Sequence, residues 1–215
     1  LSARNLKILL SMGKADMVSL FLLSNIYAIA EMPNRALDAY VGAVDKSEGR
    51  HVGASLAAVY HFIDTGELDT ARDLMDTLAE QRDRWTREQA MDYRKMSARL
   101  AREQGIASEA VTELEAVLTE DPFDTGALIT LAEIHSETEE PERAFVLLDR
   151  AIQIEESRLN ALLLYARILV RKQRYAEALP YLREAVELDD RPAVEDLYVR
   201  VESLVRTRSG NGFAK

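Results

Sequence analysis

Three basic residues, Lys95, Arg99 and Arg102, follow one another at i, i+4 and i+7, which puts them on one face of a helix. Arg167 and Arg171 repeat the i, i+4 spacing further along the chain. Ammonium and guanidinium groups ranked in this way can grip carboxylates through charge-assisted hydrogen bonds. Motifs of bond-making chemistry are missing. There is no Gly-x-x-x-x-Gly-Lys loop, no Gly-x-Ser-x-Gly and no His-Glu-x-x-His. The three histidines, His51, His61 and His135, are scattered without the spacing of metal ligands, and His135 reads as a core or half-buried residue. The acidic run Glu137, Glu139, Glu140 and Glu142 straddles a turn and reads as solvated surface, lacking the Asp/Asn/Gly loop that calcium requires. The expectation is a non-enzymatic chain with no catalytic residue, cofactor or metal site.

Composition narrows the class further. At 215 residues the chain can build a full core or about six helical hairpins. Its 37 acidic and 27 basic residues give a formal charge of −10, which argues against a nucleic-acid module. Cysteine is absent, excluding disulfides and thiolate metal sites without choosing between cytoplasm and periplasm. Nine Gly and five Pro leave no low-complexity linker, and the Ala, Leu, Glu and Arg content suits long helices. The longest apolar run, Met17 to Ala30, contains two Ser and an Asn and falls short of the ~20 residues of a membrane span. It reads as a buried helix, so no membrane insertion is expected. No signal-peptide pattern precedes it. Because the chain starts at Leu1, it is expected to be processed or cut from something longer.

The elements that must hold the basic residues come from a pattern written twice. Residues 125–158 read TGALITLAEIHSETEEPERAFVLLDRAIQIEESR, and residues 159–192 read LNALLLYARILVRKQRYAEALPYLREAVELDDRP. Laid 34 apart, Ala132 falls on Ala166, Ala144 on Ala178, Leu148 on Leu182, Ala151 on Ala185 and Ile154 on Leu188. That period and rhythm predict a helix–turn–helix repeat array. Followed outward, the rhythm predicts helix pairs over about 16–48, 51–81, 86–122, 124–156 and 158–190. Asp16 and Asp124 are expected N-caps, and Thr86 with Gln89 has the form of a capping box. Pro33 and Pro141 can open second helices, whereas Pro180 lies inside one and can bend it. From Ala71 to Ala110 the spacing widens to 39, placing an insertion of about five residues around Gln81–Trp85. Trp85 is either an exposed anchor or the residue that pins this loop. Leu1–Met12 reads as an orphan helix stopped at Gly13, and residues 193–207 as a helix capping the last hairpin. Residues 208–215 have the composition of a disordered tail.

These residues resemble the tetratricopeptide-repeat family. Its early second-helix alanine recurs at Ala36, Ala71, Ala110, Ala144 and Ala178, and the bulky residue four further on at Tyr40, Met75, Leu114, Leu148 and Leu182. The small residue of the first helix reads Ser24, Ala98, Ala132 and Ala166, with Val59 departing from the pattern. The position of the family's early aromatic holds Leu20, Leu128 and Leu162, with Ser55 and Arg94 weaker matches. The resemblance covers roughly 16–192 and implies a right-handed all-α solenoid of five hairpins with an extra helix at each end.

In the family the first helices line a concave groove that accepts an extended peptide or a partner's helix. Carried over by register, the groove positions are Asn25, Tyr60, Lys95, Arg99, Arg102, Glu133, Asn160, Arg167 and Arg171. The family's chaperone-binding carboxylate clamp needs a Lys/Asn set that is not reproduced here. The resemblance thus implies a scaffold for a protein or peptide partner, and the arginines suit an acidic segment. Ordinary solvated helix faces also carry Arg and Glu, so that reading stays open. The competing role is a self-associating module, a homo-oligomer, or a docking segment of a larger protein.

Overall fold

A computed structural model of the protein describes residues 8, 12, 15–47, 51–137, 141–189 and 191–211, with side chains up to 207. Its regular elements there are all helical. They are α1 (Met17–Ile29), α2 (Pro33–Ser47), α3 (Val52–Asp64), α4 (Leu68–Ala79), a 3₁₀ turn (Arg82–Arg84), α5 (Arg87–Glu103), α6 (Ala107–Glu120), α7 (Thr125–Glu137), α8 (Pro141–Ile152), α9 (Glu155–Arg171), α10 (Tyr175–Leu188) and α11 (Pro192–Asn211). The chain forms two compact units, Leu1–Glu113 and Leu114–Lys215.

Helix starts are set by local chemistry. The Ser19 N–H donates to Asp16 Oδ1 at 2.8 Å, and the Ala127 N–H to Asp124 Oδ1 at 2.8 Å. Each bond satisfies a donor that the first helical turn leaves without an intrahelical partner. At Thr86 both halves of the capping box form, Gln89 N–H to the hydroxyl at 3.2 Å and Thr86 N–H to Gln89 Oε1 at 2.9 Å. Pro33, Pro141 and Pro192 each open a helix, where a missing N–H costs nothing. Pro180 sits inside α10. Within the hairpins, Gly66 and Gly105 turn the chain with φ of +81° and +77°. Glu31 and Gln173 hold the equivalent turns at +54° and +60°, so the turn geometry is kept even where glycine is not.

Packing follows the repeat in each unit. In the first, α1 packs on α2 and α3 on α4, while α2 meets α4 and α3 meets α5. In the second, α7 packs on α8, α9 on α10 and α10 on α11, and first helices α7 and α9 meet. All five early alanines and the small residues Ser24, Ala98, Ala132 and Ala166 are wholly buried, as is Val59. Their size lets helices approach closely, and Tyr40, Met75, Leu114, Leu148 and Leu182 are buried beside them. One large cluster, from Ala36 to Leu100, gathers Tyr40, Phe62, Leu74, Met75 and Leu78 in the first unit, with Trp85 and Tyr93 against it. Leu162, Ala185 and Val194 form a cluster in the second.

Three details depart from the sequence reading or fall outside it. The terminal helix does not stop at 207 but continues through Gly210 to Asn211. Trp85 is half-buried, its ring 4.9 Å from that of Tyr93, and so pins the inserted loop. Most of the expected orphan helix, with Gly13, Glu48, Gly49, Glu139 and Glu140, lies outside the described residues; Ile8 is helical and accepts from Met12 N–H at 3.0 Å.

Candidate functional site

The nine groove positions fall in both units. In the first unit Tyr60 of α3 and Arg99 of α5 come together, the Arg99 guanidinium carbon 4.0 Å from the centre of the Tyr60 ring. At that distance the guanidinium is attracted by the face of the ring, a cation–π contact. Lys95, on the same helix, lies 3.3 Å from Asp92 Oδ1. Arg102 is half-buried one turn beyond Arg99. Asn25 of α1 is exposed, but its Oδ1 accepts from the buried Tyr40 hydroxyl, which ties it to α2.

In the second unit, Glu133 of α7 and Asn160 and Arg167 of α9 line one open cavity of about 460 Å³. Its floor is aliphatic, from Ile129, Leu163, Leu164, Val194 and Leu197, and Arg191 stands at its edge. A volume of that size lies in the range of sites that accept a ligand, with few polar groups over an apolar base. Arg171 stands apart from this set. It donates to the Ser136 carbonyl in the last turn of α7, satisfying one of the acceptors a helix end leaves over.

Reading by residue type missed the contribution of α11 to this cavity. Continuing the 34-residue period would have found it, since Val194 falls on Asn160 and Leu197 on Leu163. Arg191 is held by Asp189, with Nε to Oδ2 at 2.7 Å and the Arg191 N–H to Oδ1 at 3.1 Å. The hydrogen bonds from Arg191 hold the Asp189 carboxyl below its ordinary pKa. A depressed folded-state pKa contributes stability above the unfolded value that is lost as the pH falls through the folded one. Asp189→Asn should therefore melt below the parent protein at pH ~7 and converge with it as the pH falls through the lowered pKa of Asp189, as followed by circular dichroism.

The other chemistry-bearing residues do not assemble. His135 is buried in α7, and no three His, Asp or Glu among the described residues converge as metal ligands. Among the same residues no helix is long and apolar enough to cross a membrane.

A family model described as "Anaphase-promoting complex, cyclosome, subunit 3" matches residues 103–185. YrrB, described as a TPR protein with an unusual peptide-binding site, superposes with a TM-score of 0.60 at 14% identity, covering 90% of this chain and 96% of that one. A tetratricopeptide repeat protein from Parabacteroides merdae gives 0.58 at 15% identity, over 93% of this chain and 76% of its own. The chain has the tetratricopeptide-repeat fold. PilF of Pseudomonas aeruginosa is similar too, with a TM-score of 0.61 at 14% identity over 92% of this chain and 86% of that one. No curated protein matches the sequence. At such identities the structural likenesses speak for the repeat fold alone.

Proposed function

We propose that this tetratricopeptide-repeat protein is a non-enzymatic scaffold whose first-helix groove takes an extended, acidic segment of a partner protein. The observation that carries this reading is the cavity of about 460 Å³ in the second unit. Its aliphatic floor suits an apolar side chain, Arg167 suits a neighbouring carboxylate, and Asn160 can bond a peptide backbone. Arg99, oriented by Tyr60, and Lys95 and Arg102 offer the same chemistry in the first unit. In this reading Arg171 acts mainly as a helix cap and Asn25 as a tie to Tyr40.

The test uses a labelled decapeptide of alternating Glu and Leu, followed by fluorescence anisotropy. Arg167→Glu should weaken binding at least tenfold, as should the triple change of Lys95, Arg99 and Arg102 to Glu. Added salt should weaken binding by the parent protein. Unchanged affinity in both variants, with unchanged circular dichroism, would rule the basic groove out.

A second reading, self-association or docking onto a larger polypeptide, rests on α1. That helix is apolar all round, yet Val18, Leu22 and Ile29 are exposed, Ile29 at 82%. Helices of this kind are normally buried. Light scattering that rises with concentration would favour this reading over the first.

A further inference from the structure

The insertion that breaks the period builds a second concavity, away from the groove. A cavity of about 270 Å³ lies in the first unit among Arg82 and Asp83 of the 3₁₀ turn, Trp85, Tyr93 and Arg94 of α5, and Glu113 of α6. Sites for whole small molecules run from about 300 to 1,000 Å³, so this one suits a single long side chain. Register explains why the space exists. Arg94 and Glu113 stand where the two regular hairpins have Leu128 with Leu147 and Leu162 with Tyr181. Leu128, Leu147 and Leu162 are buried, whereas Arg94 and Glu113 form a partly exposed ion pair at 2.9 Å.

Its walls are aromatic and carboxylate. Trp85 and Tyr93 meet at 4.9 Å with their planes 41° apart. The Trp85 Nε1–H is buried without an acceptor, so the part of the indole that lines the cavity is carbon surface. Within the lining the formal charges cancel, Arg94 against Glu113 and Arg82 against Asp83. The surroundings decide the sign. Asp69, Asp73 and Asp76 of α4 and Glu80 at its C-cap follow i, i+4, i+7 and i+11, opposite the buried stripe of Ala71, Leu74, Met75 and Leu78. Asp83, in the 3₁₀ turn, lines the cavity itself. All five are exposed, and none lies within ion-pair distance of a cation among the described residues, although Asp76 and Arg72 feel each other's field. Asp76 lies close enough for its field to act on Tyr93, whose hydroxyl pKa is raised first by burial and then by that carboxylate, with Arg82 and Arg72 opposing.

We propose that this cavity receives a lysine or arginine side chain from a basic segment of a partner protein, the rest of which lies along the acidic ridge of α4. A cation is attracted by aromatic faces and by the carboxylates of Asp83 and Glu113, and the ridge raises the local concentration of positive charge. An acidic segment would meet five exposed carboxylates on its approach. Complementarity of this kind sets association rate and selects against partners of the wrong sign.

Trp85 is the only tryptophan, so its emission reports directly on the site. Titrating the full chain with a decapeptide of alternating Arg and Ser should give a saturable change in that emission, and the Glu/Ser counterpart none. Neutralising the ridge with Asp76→Asn, Glu80→Gln and Asp83→Asn should weaken binding at least tenfold. An equal change of charge in the other unit, Glu156→Gln, Glu195→Gln and Asp196→Asn, should leave it within twofold. Trp85→Phe, read by anisotropy of a labelled basic peptide, should weaken it severalfold with the circular dichroism spectrum unchanged. No emission change, equal losses from the two triple variants, or affinity untouched by the ridge changes would overturn the proposal. The groove stands or falls separately, because its probe is acidic and its variants are at other residues.

Discussion

Ala144→Glu is expected to destabilise the protein by about 3–5 kcal/mol, the range for a charge left buried without a partner. Ala144 has no exposed surface, and it sits where α8 packs on α7 and α9. A glutamate there needs volume the interface does not have, and overpacking adds its own cost. Total stability in domains of this size is only about 5–15 kcal/mol, so most of it would go. Urea melts followed by circular dichroism measure the loss. Val146→Glu, two residues away and 63% exposed, should stay within about 0.5 kcal/mol of the parent. Ala178→Glu, at the equivalent place one period on, should behave like Ala144→Glu. If all three variants melted alike, the register of the repeat would be misassigned.

Phe62→Ala is expected to cost about 3–5 kcal/mol in the first unit, the loss found when a buried aromatic is cut back. The ring is 2% exposed and meets Tyr40 edge to face, centroids 5.9 Å apart and planes at 88°. Truncation removes that contact and leaves a cavity among Tyr40, Leu74, Met75 and Leu78, all of which are buried. Tyr40 would lose an aromatic neighbour on one side while keeping Phe21 on the other, at 6.1 Å. Phe123→Ala, at a site 65% exposed, is the control and should be nearly neutral. Equal melting of the two variants would mean that the cluster around Phe62 contributes no more than surface packing.

Much of the architecture could be read from particular residues. Alanine at 36, 71, 110, 144 and 178 marks places where two helices approach too closely for anything larger, and the structure buries every one. Caps at Asp16, Thr86 and Asp124 were equally plain, because a side chain bonding three residues ahead is a local matter. The turns at Glu31 and Gln173 were not. Nothing in those residue types announces a left-handed backbone, and only the equivalence with Gly66 and Gly105 reveals it.

The groove was legible as positions but not as chemistry. Register alone nominated Arg99, Arg167 and Arg171 alike, as first-helix residues at one helical spacing. In the folded chain Arg99 is stacked on Tyr60, Arg167 lines an aliphatic cavity and Arg171 closes the end of α7. Likewise the helix read only as a cap for the last hairpin contributes Val194 and Leu197 to the floor of the same cavity.

The period, the hairpins and the buried alanines were readable from residue types, since these depend on side-chain size and on neighbours within a few residues. Tertiary structure decided which exposed side chains share a cavity and which are consumed in capping or stacking. It also decided that the five-residue break opens a pocket beside an ion pair. Those outcomes depend on distances between helices that are far apart in the chain, and no local pattern of residue types carries them.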